Sequence, residues 1–154
     1  MEKKELYELM AAQLRALMEG EDDRISNLAN ASALIMESLD RLNWAGFYLM
    51  KNGHLQLGPF QGKTACLRIP VGKGVCGTAV AENATQLVPD VHQFPGHIAC
   101  DCASNSEIVI PIRVNGNIVG VLDIDSPVFD RFDEEDQKGL EVLVTILEDG
   151  CDWN

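Results

Sequence analysis

Four cysteines fall between residues 66 and 102: Cys66, Cys76, Cys100 and Cys102. Each stands in a stretch marked by glycine, proline or histidine, at residues 62–66, 72–77 and 94–102. Such stretches form turns, and a thiol in a polar, reachable turn is a candidate nucleophile or redox group. A nucleophilic cysteine needs a stabilised thiolate and a second group that completes the reaction. His97 precedes Cys100 and Asp101 follows it. Lys63 lies close to Cys66, and Lys73 lies near Cys76, which can also sit at a helix start. An imidazolium, a lysine and a helix start each favour the thiolate. The plainer reading makes all four small, unreactive residues in a folded loop.

Three further constellations carry possible chemistry. His92, His97, Cys100 and Cys102 offer four potential zinc ligands in one loop. Cys-x-Cys is not the two-residue knuckle spacing, however, and no second pair lies elsewhere, so no metal is expected. Asp123 and Asp125 alternate along an otherwise apolar run, so both project from one face of a strand. Carboxylates on a core strand are costly unless they bind something or lie at a solvated strand end. Glu107 begins the run that would pair with them, and together the three can hold a ligand ammonium or supply a proton. Trp44 and Tyr48 share a face of a third run, as core packing or as a pocket wall.

The elements that must position these residues follow from periodicity. Leu6, Leu9, Met10, Leu14, Leu17 and Met18 recur at helical spacing, and Gly20 can end that helix. Ile25, Leu28, Ala29, Ile35, Met36 and Leu39 define a second stripe, interrupted only by the small Ser32 and closed by Asp40. Residues 42–50 and 55–57 read as strands joined by Asn52-Gly53, a strong hairpin signal. Residues 108–114 and 118–124 repeat that pattern around Asn115-Gly116. Between them, residues 58–105 are rich in turns, with a short helix expected over 75–81 and a short strand near 87–88. A loop region of that length in a compact domain is usually binding or catalytic. Asp133 can cap a last helix whose buried stripe is Leu140, Leu143, Val144 and Leu147, with Gly150 at its end. The order predicts one α+β domain: helices over 3–39, sheet and loops over 42–125, and a helix over 133–149. Terminal helices should cover one face of an antiparallel sheet.

At 154 residues and 46% hydrophobic content, the chain suits one domain with a real core. The charged start, Met1-Glu2-Lys3-Lys4-Glu5, reads as neither a secretory signal nor a membrane span, and places the protein in the cytosol. Thiols rest reduced there, so a disulfide would be catalytic rather than structural. The odd count of five cysteines agrees. A net charge of -12 disfavours nucleic acid and anionic membranes as partners and favours an amine-bearing substrate, although solubility alone would account for it.

From about residue 43 to 133 the chain resembles the GAF-domain free methionine-(R)-sulfoxide reductases. The resemblance is carried by Asn43-Trp44-Ala45-Gly46-Phe47-Tyr48, Leu57-Gly58-Pro59-Phe60-Gln61-Gly62-Lys63 and Gly72-Lys73-Gly74-Val75-Cys76-Gly77-Thr78-Ala79. It continues through Asp90-Val91-His92, the stretch 94–101, Ser104-Asn105-Ser106-Glu107 and Gly120-Val121-Leu122-Asp123-Ile124-Asp125-Ser126. It implies a six-stranded antiparallel sheet with helices on one side, usually as a dimer. It implies reduction of free methionine (R)-sulfoxide with electrons from thioredoxin and no metal or organic cofactor. Cys100 matches the nucleophile, Cys66 the resolving cysteine and Cys76 an auxiliary one. Trp44 and Tyr48 match the pocket for the substrate methyl end, and Glu107, Asp123 and Asp125 the carboxylates around sulfoxide and amine. Cys102 lies outside the family pattern. It is either a competing resolving thiol or an inert replacement. The competing class is a non-enzymatic GAF sensor of a small molecule, usually fused to an output domain for which this chain has no room.

The resemblance conflicts with simple hairpin geometry. A plain two-residue turn at Asn115-Gly116 pairs Val114 with Asn117, which puts Glu107 opposite Ile124 and on the wrong face. A longer loop, a bulge, or a Glu107 that lies before regular pairing is therefore expected.

Overall fold

A computed structural model describes residues 1–96 and 103–154. Two helices open the chain, α1 (Lys3–Leu17) and α2 (Arg24–Ser38). Asp23 caps α2 by accepting from the Ser26 amide at 2.9 Å. The strands are β1 (Trp44–Lys51), β2 (His54–Gly62), β3 (Arg68–Pro70), β4 (Gln86–Val88), β5 (Ser106–Val114) and β6 (Asn117–Ser126). Helix α3 (Gly74–Glu82) lies between β3 and β4, and α4 (Glu134–Gly150) closes the fold. All six strands form one antiparallel sheet in the order β3-β2-β1-β6-β5-β4.

Alternation along the central strands sorts side chains into two cores. Ala45, Phe47, Ile108, Ile110, Ile112, Leu122 and Ile124 pack against α1, α2 and α4, the terminal helices expected on one face. Trp44, Tyr48, Val109 and Val121 face the other way, against Ile69, Val88 and the Val75, Cys76 and Ala79 stripe of α3. The sheet is thus covered on both sides, which is why β5 and β6 are buried along most of their length.

Both Asn-Gly turns form, with positive φ at both residues of each, as a two-residue hairpin turn requires. Asp133 and Asp136 make a reciprocal capping box on α4, and the expected stripe Leu140, Leu143, Val144 and Leu147 is buried. Other expectations shift. In α1 the inward residues are Tyr7, Met10, Ala11 and Leu14, while Leu9 and Leu17 are 44% and 48% exposed. Tyr7 takes the inward place because its ring lies where a Cβ on Gly139 of α4 would sit and its hydroxyl reaches Asp136. In α2, Ile25 and Ala29 face solvent, and Asn27, Ala31, Ser32 and Leu34 turn inward instead. Helix ends also differ: Met18, Leu39 and Cys151 are the C-caps, and Gly150 is still helical. Strand β3 was not foreseen; its three residues are a strand because they pair with His54, Leu55 and Gln56.

Candidate active site

The β5–β6 hairpin resolves the register conflict. Its turn is the plain two-residue one, Val114 opposite Asn117. A bulge then follows: Arg113 pairs with Ile118 but Ile112 pairs with Gly120, which leaves Val119 over. That single extra residue changes the parity of every later pair. Glu107 therefore falls opposite Asp125, and Asp123 lies two residues along on the same face. All three carboxyls are buried and line one small cavity of about 50 Å3.

Cys76 approaches these acids from α3. Gly77 permits this, because a Cβ there would come within 2.4 Å of the Pro70 carbonyl oxygen. The helix start can thus lie directly on the turn after β3. The Cys76 sulfur and one carboxyl oxygen each of Glu107 and Asp123 lie within 4.8 Å of one another. Burial, followed by the charges of Asp123, Glu107 and Asp125 and a hydrogen bond with Asp123, pushes the Cys76 thiol well above its ordinary value. Lys73 and the helix start can each favour a thiolate, but at Cys76 desolvation and three acids act the other way. Burial likewise, then Asp123 and Asp125 by charge and by hydrogen bonds, drives the Glu107 carboxyl well above the usual range. That direction favours the neutral acid at Glu107, and a carboxyl so placed is a candidate proton donor.

An aromatic wall closes the cavity on the β1 side. Trp44 and Tyr48 stack with ring centroids 5.9 Å apart, and Phe60 stacks on Trp44 at 5.1 Å. Gly46 makes this possible: a Cβ there would lie 2.2 Å from that of Phe60. Sequence reasoning missed Phe60, although it lies in a quoted motif, because its role depends on the pairing of Gly46 with Phe60 across two strands. Ile69 also lines the cavity and was missed together with β3. Ser104, held by Asn43 at 3.1 Å, adds a hydroxyl to the rim.

Cys66 is half-buried beside this wall, in the segment whose Thr64 and Ala65 line the cavity. It is disulfide-bonded. The expected nucleophile Cys100, together with His97, Asp101 and Cys102, lies outside the described residues. Of the four imagined zinc ligands only His92 is described. It is exposed, in a turn at Val91–Gln93, with Nε2 2.9 Å from Asn105 Oδ1. Among the described residues the group with metal-ligand proximity is Cys76, Glu107 and Asp123, a different set.

Comparison with known proteins agrees with this layout. The family model of the GAF domain matches residues 26–149. The chain is 60% identical to the free methionine-R-sulfoxide reductase of Escherichia coli K12 over 148 residues, covering 96% of this chain and 90% of that one. It superposes on the fRMsr of Staphylococcus aureus in complex with substrate with a TM-score of 0.91 at 54% identity, covering 95% of each chain. For the free methionine-R-sulfoxide reductase of Neisseria meningitidis in complex with its substrate, the TM-score is 0.93 at 44% identity, with 97% of this chain and 90% of that one covered. The chain belongs to the GAF-domain free methionine-(R)-sulfoxide reductase family. A member of this family is an oxidoreductase. Five residues that the resemblance assigns to the reductase pocket, Trp44, Tyr48, Glu107, Asp123 and Asp125, line one cavity here together with Cys76. Among the described residues, no helix is long and apolar enough to cross a membrane.

Proposed function

We propose that this protein reduces free L-methionine (R)-sulfoxide to L-methionine, and that the cavity between β1, β5, β6 and α3 is its active site. The observation that carries the reading is the convergence of Glu107, Asp123 and Asp125 on one face, lining a cavity with Trp44 and Tyr48 and with the Cys66 segment at the rim. The wall suits the methyl end of the substrate, and the acids suit its ammonium and its sulfoxide oxygen.

In this scheme the Cys100 thiolate attacks the sulfoxide sulfur, and Glu107 supplies the proton to the departing oxygen. The sulfur–oxygen bond of the substrate breaks and releases hydroxide, leaving Cys100 bonded to the methionine sulfur. Hydroxide then adds to the Cys100 sulfur, that sulfur–sulfur bond breaks with its electron pair going to methionine, and Cys100 is left as the sulfenic acid. The Cys66 thiol then displaces hydroxide from that sulfur. A disulfide forms, and the thiol proton leaves with the hydroxide as water. Thioredoxin returns two electrons and two protons. The cycle calls on no metal or organic cofactor. A disulfide already present at Cys66 is the form the oxidised enzyme would take. The cytoplasm, where thioredoxin keeps thiols reduced, is its proposed compartment, and a homodimer its proposed form.

The test is methionine release from each epimer of the free sulfoxide with a dithiol donor. Release from the R epimer only, abolished in a folded Cys100→Ser protein, is the expected result. No release from either epimer would instead favour a GAF sensor. Cys66→Ser should release about one methionine per site and then stall under thioredoxin. If Cys66→Ser keeps turning over and Cys102→Ser stalls, Cys102 is the resolving thiol.

A further inference from the structure

The segment carrying Cys66 has no regular secondary structure between Gly62 and Arg68, yet it is held at three points. The Trp44 indole N–H donates to the Lys63 carbonyl at 3.1 Å. The Tyr48 hydroxyl donates to the carbonyl of Cys66 itself at 2.9 Å. The Leu57 amide donates to the Leu67 carbonyl at 2.9 Å. Two of the three anchors are therefore side chains of the pocket wall, one on each side of Thr64 and Ala65. Both rings are buried, at 2% exposure each, and stacked, so their donors are fixed in direction. An indole N–H can only donate. Burial, with Asp123 next in weight, keeps the Tyr48 phenol protonated well beyond its ordinary value, so it too remains a donor.

We propose that Tyr48, assisted by Trp44, is a positioning residue for recycling: it suspends Cys66 from the wall of the substrate pocket so that the Cys66 sulfur meets the sulfenic acid. The inference rests on the reaction proposed above and goes beyond it, since a pocket wall needs the rings but not these two hydrogen bonds. It also links the two half-reactions physically, because the ring that lies against the substrate sets the place of the thiol that acts after the substrate has left.

Tyr48→Phe keeps the ring and removes the hydroxyl. The step to read is disulfide closure, followed by mass spectrometry after fully reduced protein has been oxidised once, with unreacted sulfenic acid trapped by dimedone. Closure should slow roughly tenfold in Tyr48→Phe, and the dimedone adduct should accumulate. Trp44→Phe should shift closure in the same direction. Substrate reduction can itself fall in these variants, since both rings line the pocket. The readout is therefore the ratio of turnover with a small dithiol that reduces the sulfenic acid directly to turnover with thioredoxin. This ratio should rise above the wild-type one, which a merely structural defect would not cause. Closure of Tyr48→Phe at the wild-type rate would overturn the proposal, as would an equal loss under both reductants. Hydrogen peroxide generates the sulfenic acid without substrate. Closure can therefore be read even if wild-type protein reduces no methionine sulfoxide, and that outcome would count against the proposed function alone.

Discussion

Two groups of acids stand in this molecule under opposite conditions. Glu107, Asp123 and Asp125 crowd one cavity on the sheet, where burial and mutual repulsion raise Glu107. Asp133 and Asp136 crowd the start of α4, where cations and donors meet them. Lys3 Nζ lies 2.7 Å from Asp133 and 2.8 Å from Asp136. Tyr7 donates to Asp136 at 2.7 Å, and Arg131 approaches it at 3.7 Å. Burial works against the Asp133 charge, but Lys3 and the hydrogen bonds of the capping box hold its carboxyl down at about 2. The junction group has its cation within the chain, tying α1 to α4, and is built for stability. The cavity group lines a pocket, and in the proposed reaction it would meet a substrate ammonium and an oxygen to protonate.

The largest expected effect breaks the cavity group. Glu107→Gln should lower methionine formation about 10²–10⁴-fold, the usual worth of a general acid. Its stability should not fall with its activity. Asp125→Asn should also lower activity far more than stability, through the substrate ammonium. A Glu107→Gln protein that turns over normally would remove Glu107 from the chemistry, even with the family assignment intact.

The matching change at the junction should do the reverse. Asp136→Ala leaves the Tyr7 hydroxyl, Lys3 and the buried Arg131 facing an empty place, and should cost about 3 kcal/mol of stability. Turnover per folded molecule should stay at the wild-type value, since Asp136 does not line the cavity. Chemical denaturation beside an active-site titration checks both halves.

Which group would bind and which would brace was only partly legible in the sequence. The helices, both Asn-Gly turns and the Asp133 cap follow from local signals a few residues long. The α1 stripe does not, because two helical faces fitted the apolar residues and only contact with Gly139 and Asp136 selects Tyr7 over Leu9. Strand β3 and the wall residue Phe60 depend on partners in other strands. The need for an irregularity in the last hairpin was deducible, since a plain register contradicted the shared face of the three acids. Its location between Ile112 and Arg113 was not, because a bulge belongs to a strand pair rather than to either strand. Protonated Cys76 was hidden for the same reason: Lys73 is a sequence neighbour, and the acids that outweigh it are neighbours only in the fold.

The pH dependence of stability sharpens the comparison, because the two groups act at opposite ends. Glu107 has a raised folded value, so its contribution is present below the unfolded value of about 4.3 and is lost as pH rises towards the folded one. Wild type should therefore lose stability from about pH 4 upward on this account. The melting temperature of Glu107→Gln should match wild type near pH 4 and exceed it increasingly at pH 7–8. A constant offset across that range would mean that the substitution acts through packing rather than through the proton.

The smallest effect belongs to Lys3→Met, and its sign with pH is the opposite. Asp133 has a lowered folded value of about 2, so its contribution is present above the unfolded value near 4 and is lost as pH falls towards 2. Lys3 and Asp133 are 35% and 54% exposed at their side chains, so solvent screens that pair. Asp136 is buried, but it keeps Tyr7 and Arg131 when Lys3 is gone. Lys3→Met should therefore cost only about 0.5–1 kcal/mol at neutral pH and low salt. The cost should shrink in molar salt, because the exposed part of the interaction lies within reach of counterions. It should also shrink as pH falls from about 4 towards 2, as the unfolded chain and then the folded one take up the Asp133 proton. Denaturant midpoints of both proteins at pH 2.5, 4 and 7 would show it. A penalty that persists unchanged at pH 2.5 would mean that the aliphatic stem of Lys3, rather than its charge, joins α1 to α4.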